Sequence, residues 1–447
     1  MTKSPEALAL YVACVRAGAV FLPLNTAYVE SELGYFVDDA EPAVLVVDPA
    51  AEAMGERLVR GTLAPVLTLG ADGRGSLAER ARSARPIDGA VAREGGDLAA
   101  ILYTSGTTGR SKGAMLTQDN LLSNARTLVT AWRVEAQDVL LHALPIFHTH
   151  GLFVACNTVL LGGSRMIFLP KFDIDSVIGA LPRASVMMGV PTFYTRLLED
   201  ARFDASLVGH MRLFVSGSAP LLAATHGAFE SRTGQRILER YGMTETNMNC
   251  SNPYDGERVA GTVGPPLPGV EIRLRDDAGR AVDVGKVGTL EVRGPNVFAG
   301  YWRMPEKSAE ELQADGFFVT GDLATIDEAG YVTIVGRGKD LVISGGYNIY
   351  PKEIEVALDE LSGVAESAVV GSPHEDLGEA VVAFVVPERG ATLEERTIGE
   401  ALGESLARFK RPKRVLVVEE LPRNAMGKVQ KSELRERVRP LFGGGAR

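Results

Sequence analysis

Tyr103-Thr-Ser-Gly-Thr-Thr-Gly-Arg-Ser-Lys-Gly113 packs eight Gly, Ser or Thr residues and two cations, Arg110 and Lys112, into eleven positions. Ahead of it runs Leu98-Ala-Ala-Ile-Leu-Tyr103, an apolar stretch of strand type. A segment like this offers backbone N–H groups with little side-chain bulk, hydroxyl donors and positive charge, which together suit a polyphosphate. It is not the P-loop of NTPases. Five positions on from Gly106 stands Ser111, and Lys112 is followed by Gly113 rather than by a hydroxyl residue. The bland alternative is an ordinary surface loop, unusual in being this rich in hydroxyls directly after an apolar strand.

At 447 residues the chain is too long for one core and predicts two or three domains. A net charge of −10 argues against a nucleic-acid partner, whose grip would come from excess Lys and Arg. An anionic ligand must then be held by local cations. Cys14, Cys156 and Cys250 are odd in number and far apart, fitting neither a disulfide framework nor zinc spacing, so a reducing cytoplasm is expected. No apolar run reaches membrane-spanning length, and no membrane partner is expected. Ser4-Pro5-Glu6 reads as a helix start, and Leu8, Tyr11, Val12 and Val15 follow at helical spacing, with Arg16 interrupting the run. This predicts a folded amphipathic helix, not a signal peptide.

Strands alternate with helical segments to beyond residue 240. A helix is expected around Glu30–Asp39 and strands at Ala43–Val47, Ser164–Leu169, Val186–Gly189, Leu213–Ser216 and Ile237–Tyr241. That is the α/β pattern of mainly parallel sheets. Residues 255–335 change to short strands between Gly, Pro and Asp turns (Glu271–Arg275, Gly288–Arg293, Tyr331–Val335), as in a small β-barrel or meander. After Gly336-Arg-Gly-Lys-Asp340 an α+β pattern follows: a helix from Pro351, strands at Ala365–Val370, Val381–Val386 and Arg414–Val418, and a helix near Ile398–Ala407. The Gly-Gly-Gly-Ala-Arg tail is expected to be disordered.

Four further clusters follow the loop in order: Tyr241-Gly-Met-Thr-Glu-Thr246, Thr320-Gly-Asp322, Gly336-Arg-Gly-Lys-Asp340 and Pro422-Arg-Asn-Ala-Met-Gly-Lys428. With the loop they resemble the adenylate-forming superfamily of acyl-CoA synthetases, luciferases and peptide-synthetase adenylation domains, over essentially the whole chain. The resemblance implies an α/β multidomain protein. Residues 1–254 would form two α/β subdomains binding nucleotide and acid, 255–339 a β-barrel subdomain, and 340–447 a small mobile carboxy-terminal domain. It implies ATP, Mg²⁺ and CoA as partners in a two-step reaction. A carboxylate oxygen attacks the α-phosphorus of ATP, giving acyl-AMP and pyrophosphate, and a thiol then displaces AMP.

Roles follow from that resemblance. Thr104, Ser105, Gly106, Thr107, Thr108, Gly109 and Lys112 would hold the β- and γ-phosphates. Thr244 would bond the α-phosphate, and Glu245 would hold Mg²⁺, an oxygen-preferring ion; the alternative for Glu245 is a structural salt bridge. Asp322 would accept both ribose hydroxyls, supported by Arg337. Ser216, Gly217, Ser218, Ala219 and Pro220 would line the adenine, with Glu239, Arg240, Tyr241 and Gly242 completing the nucleotide site. For any one of Ser216–Pro220, an ordinary strand-to-helix turn explains the residues nearly as well. Lys428 stands in a loop of poor helix and strand formers, so local structure does not demand an ammonium there. It would stabilise charge growing on the bridging oxygens in adenylation. Asp340 would be the hinge of the small domain, and Ser344, Gly345, Gly346 and Tyr347 would face the pantetheine arm of CoA. Lys410-Arg-Pro-Lys-Arg414 reads first as a solvated basic patch. A protein acetyltransferase acting on Lys428 is a further possible partner.

The acid would bind among Pro145-Ile-Phe-His-Thr-His-Gly151, Gly189-Val-Pro-Thr192 and the residues after Glu245. His148 is assigned there with a catalytic part, beside Met248, Ser251 and Arg258. A fatty-acid enzyme would place small apolar residues here, whereas Thr246–Arg258 is polar and ends in a cation. A buried Arg without a partner is costly, which makes sense if the substrate brings a second carboxylate. The alternative is that Arg258 merely pairs with Asp255 or Glu257 on a surface loop. Arg196 is a second candidate cation, read as structural. With Met188–Arg196 and Tyr301–Lys307, these segments resemble malonyl-CoA synthetases, which implies a malonate–CoA ligase. The rivals are a ligase for another short-chain or aromatic acid, a carrier-loading adenylation domain, and a non-catalytic relative. The resemblance also implies a further segment ahead of the Ser4 helix.

Overall fold

The computed structural model describes residues 1–104, 111–344, 347–374, 377–424 and 427–442. The first helix, Pro5–Arg16, begins where expected: the Ser4 hydroxyl caps it by accepting from the Ala7 N–H at 3.1 Å, and Pro5 takes a position that needs no N–H partner. It buries Ala7, Leu8 and Tyr11. A second helix, Glu30–Ala40, leads to the short parallel pair Leu45–Val47 and Val66–Thr68.

The strand expected ahead of the phosphate loop is Leu98–Thr104. It pairs antiparallel with Lys112–Thr117, with Thr104 opposite Lys112. The ends of the two strands, Thr104 and Lys112, are therefore held side by side.

The main sheet has six strands in the order Asn247–Ser251, Ile237–Met243, Leu213–Ser216, Val186–Gly189, Val139–His142, Arg165–Phe168. All neighbours are parallel except the terminal hairpin of Ile237–Met243 with Asn247–Ser251. The four parallel strands expected from the pattern are present, with ends shifted by up to two residues. Their near-continuous apolar character has a direct cause, since the sheet is covered on both faces. Leu141, Met187, Phe214 and Ile237 point into one core, and Leu140, Val186, Met188, Leu213, Val215 and Leu238 into the other.

The strand Asn247–Ser251 was not expected, because Asn-Met-Asn-Cys-Ser carries no strand signal. All five residues are buried, and part of their polarity is answered inside: Asn249 donates to Thr246 Oγ1 (2.7 Å), and Ser251 accepts from the Trp132 indole (3.0 Å) and donates to the Asn252 carbonyl (2.8 Å), whereas Asn247 Oδ1 and Nδ2 have no hydrogen-bond partner among the described residues.

Glu271–Arg275, Gly288–Arg293, Phe318–Ile326 and Val332–Arg337 hydrogen-bond in sequence order as an antiparallel meander. The last strand runs two residues beyond the expected Val335, which sets Arg337 directly opposite Asp322. The final sheet contains the hairpin Val342–Ser344 with Tyr347–Ile349, the long pair Val364–His374 and Gly378–Pro387, and Arg414–Val417 parallel to the latter. Both faces of this sheet are filled. Val369, Val381, Ala383 and Val385 pack against the helices Pro351–Asp359 and Glu395–Ser405, while Val370, Val382 and Phe384 pack against Lys431–Val438. Among the described residues no helix is long and apolar enough to cross a membrane.

Candidate active site

The parallel strands end together, and the residues just past those ends build the site, as is usual for open α/β sheets. Ile237–Met243 carries Arg240, Tyr241 and Gly242, then turns through Thr244, Glu245 and Thr246 into Asn247–Ser251. The turn depends on Gly242, where a Cβ would stand 1.8 Å from the Asn247 carbonyl oxygen. Glu245 is buried. The Tyr301 hydroxyl meets its Oε1 at 3.0 Å, and burial pushes its carboxyl above the usual range. Thr244 lies half-buried beside it.

Across from this turn the meander supplies Asp322, also buried. Arg337 Nε meets its Oδ1 at 2.6 Å, the Tyr241 hydroxyl donates to its Oδ2, and its own N–H is fixed on Thr320 Oγ1 at 3.0 Å. Burial raises the Asp322 carboxyl, opposed by Arg337 and by the Tyr241 hydrogen bond. A carboxylate held this firmly on one side presents a fixed acceptor to a diol.

Leu213–Ser216 ends in Gly217 and Ser218. Ser218 is left-handed at φ 72°, a strained conformation for a residue with a side chain, and its Oγ lies 3.2 Å from His150 Nδ1. Gly217 has no room for a Cβ, which would sit 2.4 Å from the Arg240 guanidinium carbon. Arg240 is 4 % exposed. Its Nε and Nη2 have no hydrogen-bond partner among the described residues, and burial lowers its pKa to about 9, so it remains cationic at neutral pH. His148 and His150 are both neutral: burial, with the neighbouring cations Lys428 and Arg240, brings His148 down to about 3 and His150 well below its ordinary value. His148 Nδ1 accepts the His150 N–H at 3.2 Å. The result is a buried, unpaired guanidinium beside two imidazoles that carry no charge.

Lys428 arrives from the other end of the chain. Its loop is closed by reciprocal bonds, Lys428 N–H to Asn424 Oδ1 (3.0 Å) and Asn424 N–H to the Lys428 carbonyl (2.9 Å). Arg423 anchors it, donating to the Gly427 carbonyl (2.6 Å) and pairing with Glu366. The loop sits against the start of the helix Pro191–Glu199: a Cβ on Gly427 would lie 3.6 Å from Thr192 Oγ1. Lys428 keeps surface open to water, yet both halves of the protein crowd it. Burial is therefore the first cause lowering its ammonium, with Arg337 and Arg240 adding to this and Asp322 and Glu245 opposing it.

Several sequence assignments are relocated by these contacts. Arg258 does not reach the acid pocket as a free cation. Its guanidinium donates to the carbonyls of Pro253 (3.2 Å), Arg236 (2.6 Å) and Tyr254 (3.0 Å), pinning its own loop, and the ion pair with Asp255 goes to Arg133 instead. Met248 is core, packed with Leu128 and Trp132, and Ser251 is spent on Trp132 and Asn252. Glu239 faces away from Arg240, accepting the Gly261 N–H at 3.2 Å near His226. Arg240, first grouped with the nucleotide, is the unpaired buried cation that Arg258 was expected to be. A signal for it was present: an Arg inside a strand otherwise buried on both faces. Lys112 lies at the head of its strand, 3.2 Å from Glu311. Ser344 is buried, Tyr347 is exposed and stacks on Phe409 at 4.5 Å, and Asp340 pairs with Arg435. Ser105, Gly106, Thr107, Thr108, Gly109, Gly345 and Gly346 lie outside the described residues.

Among the described residues no group of three or more His, Cys, Asp or Glu could cage a metal. That agrees with an ion such as Mg²⁺, which uses one or two carboxylates and takes its remaining ligands from phosphates and water. Glu245 fits such a donor: a buried carboxylate whose charge has no cation within salt-bridge distance among the described residues.

The family described as AMP-binding enzyme matches residues 1–302, and the AMP-binding enzyme C-terminal domain matches residues 353–428. A malonate–CoA ligase of Arabidopsis thaliana is 37% identical, over 94% of this chain and 74% of its own length. An indoleacetate–CoA ligase of Aromatoleum aromaticum is 38% identical, over 97% and 86%. Among solved structures, ATP-bound MatB from Rhodopseudomonas palustris is 58% identical over 99% of this chain and 88% of that one, with a TM-score of 0.97; the same protein without ligand gives 0.84.

Proposed function

Because the chain belongs to the AMP-binding enzyme family, an AMP-forming group of acid–thiol ligases, we propose that its acid is malonate and its reaction the ATP-dependent formation of malonyl-CoA. Arg240 carries this reading. A buried guanidinium with unanswered N–H groups is a large cost unless a ligand supplies the anion. A second carboxylate supplies it, and the neutral imidazoles of His148 and His150 bring no positive charge of their own to share with Arg240.

The first carboxylate then attacks the α-phosphorus. Asp322, backed by Arg337 and Tyr241, holds the ribose. Thr244 bonds the α-phosphate, and Lys112 and the residues 104–109 hold the outer phosphates. Lys428, placed beside Asp322 and Arg337, meets charge that grows in the transition state. Mg²⁺, when bound at Glu245, screens the phosphate oxygens. The higher TM-score to the ATP-bound than to the ligand-free form of one relative supports reading this arrangement as the adenylating one. For the second step the part following Asp340 would turn and bring Ser344–Tyr347 to face the thiol, which attacks the acyl carbon and expels AMP. The three free cysteines support a cytoplasmic location, and the exposure of Lys428 supports it as a site for an acetyltransferase.

The test is pyrophosphate release with a panel of mono- and dicarboxylic acids, with and without CoA. Malonate should exceed acetate, butyrate and benzoate by about two powers of ten in kcat/KM. Preference for a monocarboxylate would sink the malonate reading and favour a ligase for another acid, as in the indoleacetate relative.

A further inference from the structure

Lys112 and Glu245 come from different segments, and a third segment joins them. Residues 298–302 run between the phosphate-loop hairpin and the Glu245 turn: the Ala299 N–H donates to Met115, the Met115 N–H to Gly300, the Trp302 N–H to Gly113 and the Phe298 N–H to the Glu245 carbonyl, all at 2.8–2.9 Å. Tyr301, 2 % exposed, stands in the middle. Its hydroxyl lies 2.7 Å from Glu311 Oε2 and 3.0 Å from Glu245 Oε1. Glu311, the last residue of the helix Pro305–Glu311, turns its other oxygen to Lys112 Nζ at 3.2 Å, and the same ammonium rests 4.0 Å above the Tyr301 ring.

We propose that Tyr301 and Glu311 are positioning residues that hold the phosphate-gripping lysine and the metal carboxylate in one preset frame for the triphosphate–Mg²⁺ end of ATP. The proposal rests on the roles given above to Lys112 and Glu245. An ammonium has three N–H groups. Glu311 takes one and the ring face another, which leaves a donor for a phosphate oxygen while the long side chain is already immobilised. Glu311 is also paired with Lys307 at 3.1 Å, so it stays neutralised when Lys112 shares its charge with phosphate. The phenol has one proton and two carboxylate acceptors. With a cation on Glu245 that proton stays with Glu311, and both ends of the frame are occupied together.

Equilibrium binding of MgATP and of AMP, without acid or CoA, separates this from a merely structural role. Glu311→Ala should weaken MgATP about tenfold and AMP less than about twofold, since AMP lacks the outer phosphates. Glu311→Gln, which keeps an acceptor for the phenol but loses the charge facing Lys112, should fall between, and Tyr301→Phe should weaken MgATP selectively. In a Lys112→Met background the Glu311→Ala loss should shrink below about threefold, because the two act as a unit. Equal losses for MgATP and AMP, an undiminished loss in the Lys112→Met background, or unchanged MgATP affinity in both Glu311 variants overturns the proposal. Should Glu311→Ala not fold, the Gln and Phe variants carry the same comparison. Failure of AMP to bind the unmodified protein would overturn the nucleotide reading of Asp322 instead.

Discussion

Two side chains divide the chemistry. In the proposed reaction Lys428 would meet charge that grows in the transition state, so Lys428→Ala should slow acyl-AMP formation by roughly 3–4 kcal/mol, several hundredfold, as for loss of one preorganised charge contact. Thioester formation from supplied malonyl-AMP should change much less, and stopped-flow measurement of each half-reaction checks this. In the proposed reaction Arg240 would meet the substrate's second charge. Arg240→Met should move the ratio of kcat/KM for malonate over butyrate by about a hundredfold, near 3 kcal/mol, with effects on ATP binding cancelling in the ratio. Arg258→Met is the contrasting case. It removes three hydrogen bonds to backbone carbonyls and should lower the melting temperature while leaving that ratio unmoved.

At the scale of the element, the hairpin Ile237–Ser251 is where sequence and structure part company. Its first strand is apolar and legible; its second, Asn-Met-Asn-Cys-Ser, is not, because its stability comes from side-chain hydrogen bonds to Thr246, Trp132 and Asn252 that no local pattern records. The same blindness hides the surroundings of the two candidate acid-binding cations. Arg258 stands at the end of a polar run and looks free, but three backbone carbonyls hold it, whereas Arg240, in a strand buried on both faces, has Nε and Nη2 without a hydrogen-bond partner among the described residues. Four of the five parallel strands of the main sheet and the first helix start are legible, since burial on both faces and the Ser4 cap leave direct marks on the sequence, while Val139–His142 is not read. The hairpin's tight turn yields its own test. Gly242→Ala puts a methyl 1.8 Å from the Asn247 carbonyl oxygen, backbone that cannot swing aside, and should cost roughly 2–3 kcal/mol of stability and displace Glu245. Denaturant unfolding and Mg²⁺-dependent ATP binding together measure both effects.

Across the whole molecule the site is assembled from distant parts of the chain, with Lys428 on the far side of Asp340 from everything else. Asp340 closes a short helical turn, Gly338–Asp340, and pairs with Arg435 of the last helix. If the later part of the chain turns about this residue, Asp340→Pro should spare adenylation and impair thioester formation, because the ring fixes a backbone angle that has to change. Asp340→Ala separates loss of the Arg435 pair from loss of backbone freedom. Normal CoA-dependent turnover in the Pro variant would exclude the hinge.

The unanswered nitrogens of Arg240 have a consequence outside catalysis. If a dicarboxylate answers this buried cation, whose Nε and Nη2 have no partner among the described residues, its binding to the folded chain should raise the resistance to heat without ATP. Melting curves with malonate, set against propionate at equal ionic strength, would read this. In a cell the same linkage ties the lifetime of the protein to the supply of its acid: starved of it, the chain opens more often and meets proteases, and no dedicated regulator is needed.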